Sequence, residues 1–178
     1  MKKVLIISTS PRADSNSEAL AKAFARGAQE AGHETELISL RGRTVSFCRG
    51  CFVCQEKLRC VIHDDADEIC RKAVSADVLV FATPIYYYEM SGQLKTLLDR
   101  LNPLFPSDYA FRDVYLLTAA AEDESMVPKR AISGLEGWIA CFERARLAGT
   151  VFMGGVTEAG EKPEHPALEE ARRMGRSI

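Results

Sequence analysis

The feature that most constrains this chain is a regular alternation of short, continuous apolar runs with amphipathic helical stretches. Residues 3–8, Lys3-Val4-Leu5-Ile6-Ile7-Ser8, form an unbroken apolar run of the kind found in a strand covered on both faces. Residues 17–31 then place Leu20, Phe24, Ala28 and Ala31 on one helical face, with Gly32 as the stop. Residues 34–39 alternate and predict a second, more exposed strand. The second half repeats this rhythm, with helices predicted over 65–75, 92–101, 128–146 and 166–174. Between them lie strands over 77–83, 114–119 and 150–154. Five strands alternating with helices predict right-handed crossovers and an α/β fold, a three-layer doubly wound five-stranded parallel sheet. No internal repeat, low-complexity segment or linker divides the chain, so residues 1–178 read as a single domain.

Charge and hydropathy narrow the function classes. The 23 Lys and Arg against 25 Asp and Glu leave a net charge of −2, with no basic excess for a phosphodiester backbone. No nucleic-acid partner is expected. The apolar runs fall well short of the roughly 20 residues that a membrane span needs, and Val4–Ile7 is too short for a signal peptide. The expectation is a cytoplasmic protein with no membrane association.

In doubly wound sheets, ligands bind beyond the carboxyl ends of the strands where strand order reverses. The loop after the first strand reads Ser8-Thr9-Ser10-Pro11-Arg12-Ala13-Asp14-Ser15-Asn16-Ser17 and runs into a helix. Hydroxyls, backbone N–H groups, a helix N-terminus and the Arg12 charge suit a phosphate monoester. The same donors serve Ser15-Asn16-Ser17-Glu18 as a capping box, and both readings fit. The loop lacks the glycines and lysine of a nucleoside-triphosphate loop and is not a G-x-G-x-x-G fingerprint. It also lacks the acidic cluster of a phospho-acceptor receiver and the nucleophilic cysteine of a low-molecular-weight phosphatase. After the third strand comes Thr83-Pro84-Ile85-Tyr86-Tyr87-Tyr88-Glu89-Met90-Ser91-Gly92-Gln93, a proline-stiffened aromatic loop. It offers flat faces to a planar ring, or covers a hydrophobic edge or subunit contact.

Residues 41–64 form a long irregular segment with Cys48, Cys51, Cys54 and Cys60 crowded into it. Loops of this length inside compact domains are usually functional. Structural zinc sites tend to pair two C-x-x-C knuckles across a longer stretch. Three thiols at a repeated spacing of three, with a fourth nearby, look more like one loop wrapped around a single cubane. Zinc, a disulfide and thiols without metal remain alternatives. Phe47, Phe52 and Val53 would form the apolar shell of a bound group, and His63 is either a donor beside it or a solvated histidine. Cys70 and Cys141 read as small buried hydrophobes. Asp65 with Glu68 predicts a second capping box, Asp99-Arg100 a structural ion pair near a dimer contact, and residues 169–173 a solvated helix face.

Taken together, strand-S-x-S-P-R-x-x-S-N-S-helix and strand-A-T-P-I-Y-Y-Y-x-M-S-G-Q-L-K-x-L-L-D-R resemble the NADPH-dependent FMN reductase and iron–sulfur flavoprotein family, over nearly the whole chain. The resemblance implies a flavodoxin-like fold. It implies an FMN phosphate held by Ser8, Ser10, Arg12, Ser15, Asn16 and Ser17, with the ring against Pro84, Ile85, Tyr86 and Tyr87. It further implies that the loop Thr118-Ala119-Ala120-Ala121-Glu122-Asp123 approaches the other side of the ring, although the glycines common there are missing. The spacing of Cys48, Cys51, Cys54 and Cys60 matches the compact motif that holds a [4Fe–4S] cluster in iron–sulfur flavoproteins. The implied function is FMN-dependent electron transfer between NAD(P)H or a protein donor such as ferredoxin and a small-molecule or protein acceptor, in a homodimer or homotetramer. The flavin would do the redox chemistry, so no side chain is assigned as catalytic. The competing class is a non-enzymatic sensor in which the cysteines bind zinc or switch between thiol and disulfide.

Overall fold

A computed structural model describes residues 1–160 and 163–178. The chain runs β1 (Lys3–Ser8), α1 (Asn16–Glu30), β2 (Glu34–Ser39), α2 (Val53–Lys57), α3 (Asp65–Ser75), β3 (Val78–Tyr86), β4 (Glu89–Met90), α4 (Gly92–Arg100), β5 (Asp113–Ala119), α5 (Lys129–Ile139), β6 (Arg146–Met153) and α6 (Pro166–Arg176). Five strands pair in parallel in the order β2-β1-β3-β5-β6. That order reverses between β1 and β3, where a doubly wound sheet opens its ligand crevice.

Period-two alternation explains the layers. Val4 and Ile6 of β1, Val78 and Val80 of β3, and Tyr115 and Leu117 of β5 face one way, onto Leu20, Phe24 and Ala28 of α1 and Ala167 and Ala171 of α6. Leu5, Ile7, Leu79, Phe81, Val114 and Leu116 face the other way, onto α3, α4 and α5. Both faces are covered, which is why the central strands read as continuous apolar runs and β2, at an edge, does not.

Three sequence expectations are corrected. A sixth, two-residue strand, β4, pairs antiparallel with the end of β3 and folds the tyrosine loop into a hairpin. The helix expected over 128–146 ends at Ile139, because the chain turns so that Phe142 can join the Tyr109, Phe111 and Trp138 rings. β6 begins at Arg146, whose guanidinium binds Asp113 across the sheet; its polar start and a register irregularity beside Tyr115 hid it from the pattern.

Candidate functional site

β1, β3 and β5 end side by side, and their loops line a cavity of about 220 Å³. Ser10, Arg12, Ser15, Asn16 and Ser17 come from the β1 loop and the start of α1. Pro84, Ile85 and Tyr86 come from the hairpin, and Ala119, Ala120 and Ala121 from the β5 loop. Val156, Thr157 and Ala159, from the loop after β6, complete the wall. One side is thus hydroxyls, a guanidinium and a helix N-terminus, and the other is small or flat apolar groups. Ser15 caps α1, its Oγ accepting from Glu18 N at 3.2 Å. Only half of the capping box forms, because Glu18 turns to Lys22 at 2.8 Å. The first N–H groups of a helix have no partners within it, so this end of α1 suits an anion.

The sequence-predicted residues do not all meet here. Ser8 ends β1 fully buried, its Oγ without a hydrogen-bond partner among the described residues. The Thr118 hydroxyl is committed to Val151 O at 3.2 Å inside the sheet. Tyr87 stands 97% exposed at the hairpin tip. It and Tyr88 both have positive φ (52° and 64°), as a two-residue hairpin turn twisted to match its strands requires. None of the three lines the cavity. Arg12 and Asn16 do line it, but they also bind the loop after β6. Arg12 Nη1 donates to Thr157 O at 2.9 Å, its Nη2 lies 3.3 Å from Glu158 Oε2, and Asn16 Nδ2 donates to Glu158 O at 2.9 Å.

Beneath the cavity, sequence reasoning missed a hydroxyl network. Thr9 Oγ1 and Thr83 Oγ1 both lie 3.1 Å from Ser91 Oγ, which accepts from Leu94 N and caps α4. This joins the β1 loop, the hairpin and α4 into one support.

A second cavity, about 320 Å³, is lined by Cys48, Cys51, Cys54 and Cys60 together, with Phe52, Val61, Ile62, Asp99 and Asn102. Left-handed backbone at Gly50, Phe52 and Leu58 bends the segment around it. All six cysteines are free thiols. Gly50 N points at Cys48 Sγ (3.4 Å), Ile62 N at Cys60 Sγ (3.5 Å), and Asn102 Nδ2 donates to Cys54 Sγ at 3.1 Å. Among the described residues, no three His, Cys, Asp or Glu side chains stand close enough to share one ion. A closed zinc site needs four ligands within about 2.3 Å of one metal. The four thiols line one cavity, and N–H donors reach the sulfurs of Cys48, Cys54 and Cys60, as sulfurs that ligate a bound group require.

Several expectations about this segment change. Phe47 is 80% exposed, and neither it nor Val53 lines the cavity; Val61 and Ile62 supply apolar wall instead. His63 is exposed. Cys70 is buried as expected, its thiol pushed up to about 12 by burial and by the Asp67 charge. Cys141 is exposed, because α5 has already ended before it. The cap of α3 is Asp64, not Asp65, which binds Arg43 at 2.9 Å. Asp99 pairs with Lys95 one turn back at 2.7 Å, while Arg100 turns inward to Asp64. Burial would raise the Asp64 pKa, but hydrogen bonds from Arg100 and Ser46 outweigh it and hold the carboxyl at about 2.

The family model for NADPH-dependent FMN reductase matches residues 2–132, which include the β1 loop, all four clustered cysteines and the hairpin. The chain belongs to the NADPH-dependent FMN reductase family. The chain spans about half the length of several of the curated relatives that it matches. An iron–sulfur flavoprotein of Methanosarcina thermophila is 30% identical over 173 residues, 97% of this chain and 87% of that one. Another, from Methanocaldococcus jannaschii, is 42% identical over 102 residues, 57% of this chain and about half (53%) of that relative's length. An NAD(P)H:quinone oxidoreductase from Methanothermobacter marburgensis superposes with a TM-score of 0.71 at 20% identity, covering 99% and 96% of the two chains, and shows the shared flavodoxin-like fold. No helix among the described residues is long and apolar enough to cross a membrane.

Proposed function

We propose that this protein takes electrons from NAD(P)H or a protein donor through FMN, holds a [4Fe–4S] cluster on Cys48, Cys51, Cys54 and Cys60 as a second centre, and delivers them to a small-molecule or protein acceptor. The observation that carries this reading is the pairing of an anion-accepting, flat-walled cavity at the β1/β3 reversal with a second cavity faced by four free thiols.

The FMN fit rests on the donor set. Ser10, Ser15 and Ser17 and the N-terminus of α1 would hold the phosphate, with Arg12 supplying charge. Pro84, Ile85 and Ala119 to Ala121 would pack on the flavin and exclude water from that side. FMN, when bound, supplies exchange between hydride and single-electron transfer, and the cluster supplies single-electron transfer alone. The chain's part is to bind and orient both, and no side chain needs to move a proton. The same reading extends to a cytoplasmic homodimer or homotetramer.

The test is anaerobic addition of NADPH, NADH or a reduced low-potential protein donor to FMN-loaded protein, followed by a quinone. Bleaching of the flavin band by at least one donor and its return with quinone is the expected result. A bound flavin that no donor reduces would overturn the proposal.

A further inference from the structure

One guanidinium fixes both ends of the cysteine segment. Arg100 Nη1 donates to Ser46 O at 2.8 Å and Nη2 to Ile62 O at 3.0 Å, so the two positions flanking all four cysteines sit on the same side chain. Asp64 accepts the other N–H of each Nη, at 2.8 and 2.9 Å, and also takes Ser46 N at 2.8 Å. The Arg100 side chain is fully buried and that of Asp64 only 7% exposed. A buried ion pair carries a desolvation cost that apolar residues of similar volume avoid, so this one is poorly explained as plain glue between a loop and α4.

A guanidinium has five N–H groups, and these contacts use four. The fifth, on Nε, is buried with no acceptor in hydrogen-bond geometry among the described residues. Cys60 carries the neighbouring sulfur: Ile62, whose carbonyl the guanidinium holds, directs its own N–H at Cys60 Sγ, 3.5 Å away. Asn102, just past the end of α4, already donates to Cys54 Sγ.

We propose that Arg100 is a positioning residue for the four-cysteine site. It brackets residues 46–62 so that the thiols face one cavity, and it keeps its remaining N–H for the sulfur of Cys60. This rests on the reading of the four cysteines as cluster ligands. Donors and positive charge beside ligating sulfurs favour the more negative, reduced form of a cluster, so Arg100 and Asn102 would both raise its potential.

The test uses wild-type protein, Arg100→Lys and Asn102→Ala, each reconstituted anaerobically with iron and sulfide. Lysine keeps a cation opposite Asp64 but has no fork to reach Ser46, Ile62 and Asp64 together. For Arg100→Lys we expect unchanged FMN content, a melting temperature lower by roughly 5 °C from the lost hydrogen bonds, iron lost to a chelator about 10–100-fold faster, and a lower midpoint potential for the cluster that remains. Asn102→Ala, which leaves the bracket intact, should keep its iron and lower the potential alone. Wild-type iron retention and midpoint in Arg100→Lys would overturn the proposal. Loss of FMN in that variant would also overturn it, by making Arg100 a general folding residue. Failure of the wild type itself to take up iron and sulfide would defeat the cluster reading, and the proposal with it, before any variant is compared.

Discussion

A chain carrying Ser17→Asp should fold normally and emerge without its flavin. Ser17 is 1% exposed, lies in the first turn of α1 and lines the β1/β3 cavity. An acidic side chain there suits the positive end of the helix, which offsets part of the cost of a charge at so buried a position, so only a modest loss of stability is expected. For a bound phosphate monoester the same carboxylate is a like charge. At about 5 Å and an effective dielectric of about 20, repulsion is roughly 3 kcal/mol per unit charge, which corresponds to about a 100-fold or greater loss of FMN affinity. Ser17→Ala, losing one neutral hydrogen bond, should cost about tenfold or less. Equilibrium titration with FMN, beside a thermal melt, reads both quantities. A Ser17→Asp chain that binds FMN as the wild type does would remove the phosphate from this end of α1.

The second large effect concerns the frame rather than the site. Gly27 of α1 and Gly175 of α6 let the two helices meet backbone to backbone. A Cβ at Gly27 would stand 1.9 Å from Arg172 O, and one at Gly175 would stand 2.1 Å from Phe24 O. Arg172 and Arg176 add ion pairs to Glu30, holding its carboxyl at about 2. Ala is the better helix former by about 1 kcal/mol, so an open surface would make Gly27→Ala stabilising. Here the blocking atoms are backbone and cannot rotate away. We expect a loss of about 3 kcal/mol, at the upper end of overpacking costs, read from the urea midpoint. Flavin affinity should fall as well, because the loop bearing Val156, Thr157 and Ala159 runs between β6 and α6. A variant as stable as the wild type would mean that the helices do not cross so closely.

How much of this was legible in the sequence follows from how local each signal is. The layered sheet was legible because strands covered on both faces leave unbroken apolar runs, as at residues 4–7 and 78–82. Nine of the predicted cofactor residues line the cavity because they sit in loops at the carboxyl ends of adjacent strands. The wall after β6 was missed, although Gly154 marked it. A Cβ at Gly154 would lie 2.4 Å from Asp123 Oδ1, so the β5 and β6 loops can close together only over glycine. The Asp64–Arg100 pair was out of reach because its partners lie 36 positions apart, whereas Asp99 was adjacent in sequence and wrong in space. Thr118 and Ser8 have the right chemistry and stand one step too deep, with side chains turned into the sheet. A one-residue difference along a strand reverses the face, and motif spacing alone does not carry that phase.

The most direct test of the central claim is the visible absorption spectrum of protein purified without oxygen, with FMN, iron and acid-labile sulfide assayed on the same sample. Flavin bands over a broad cluster shoulder, with about four irons per chain, are the predicted result. A colourless protein that takes up no FMN on reconstitution would contradict the account.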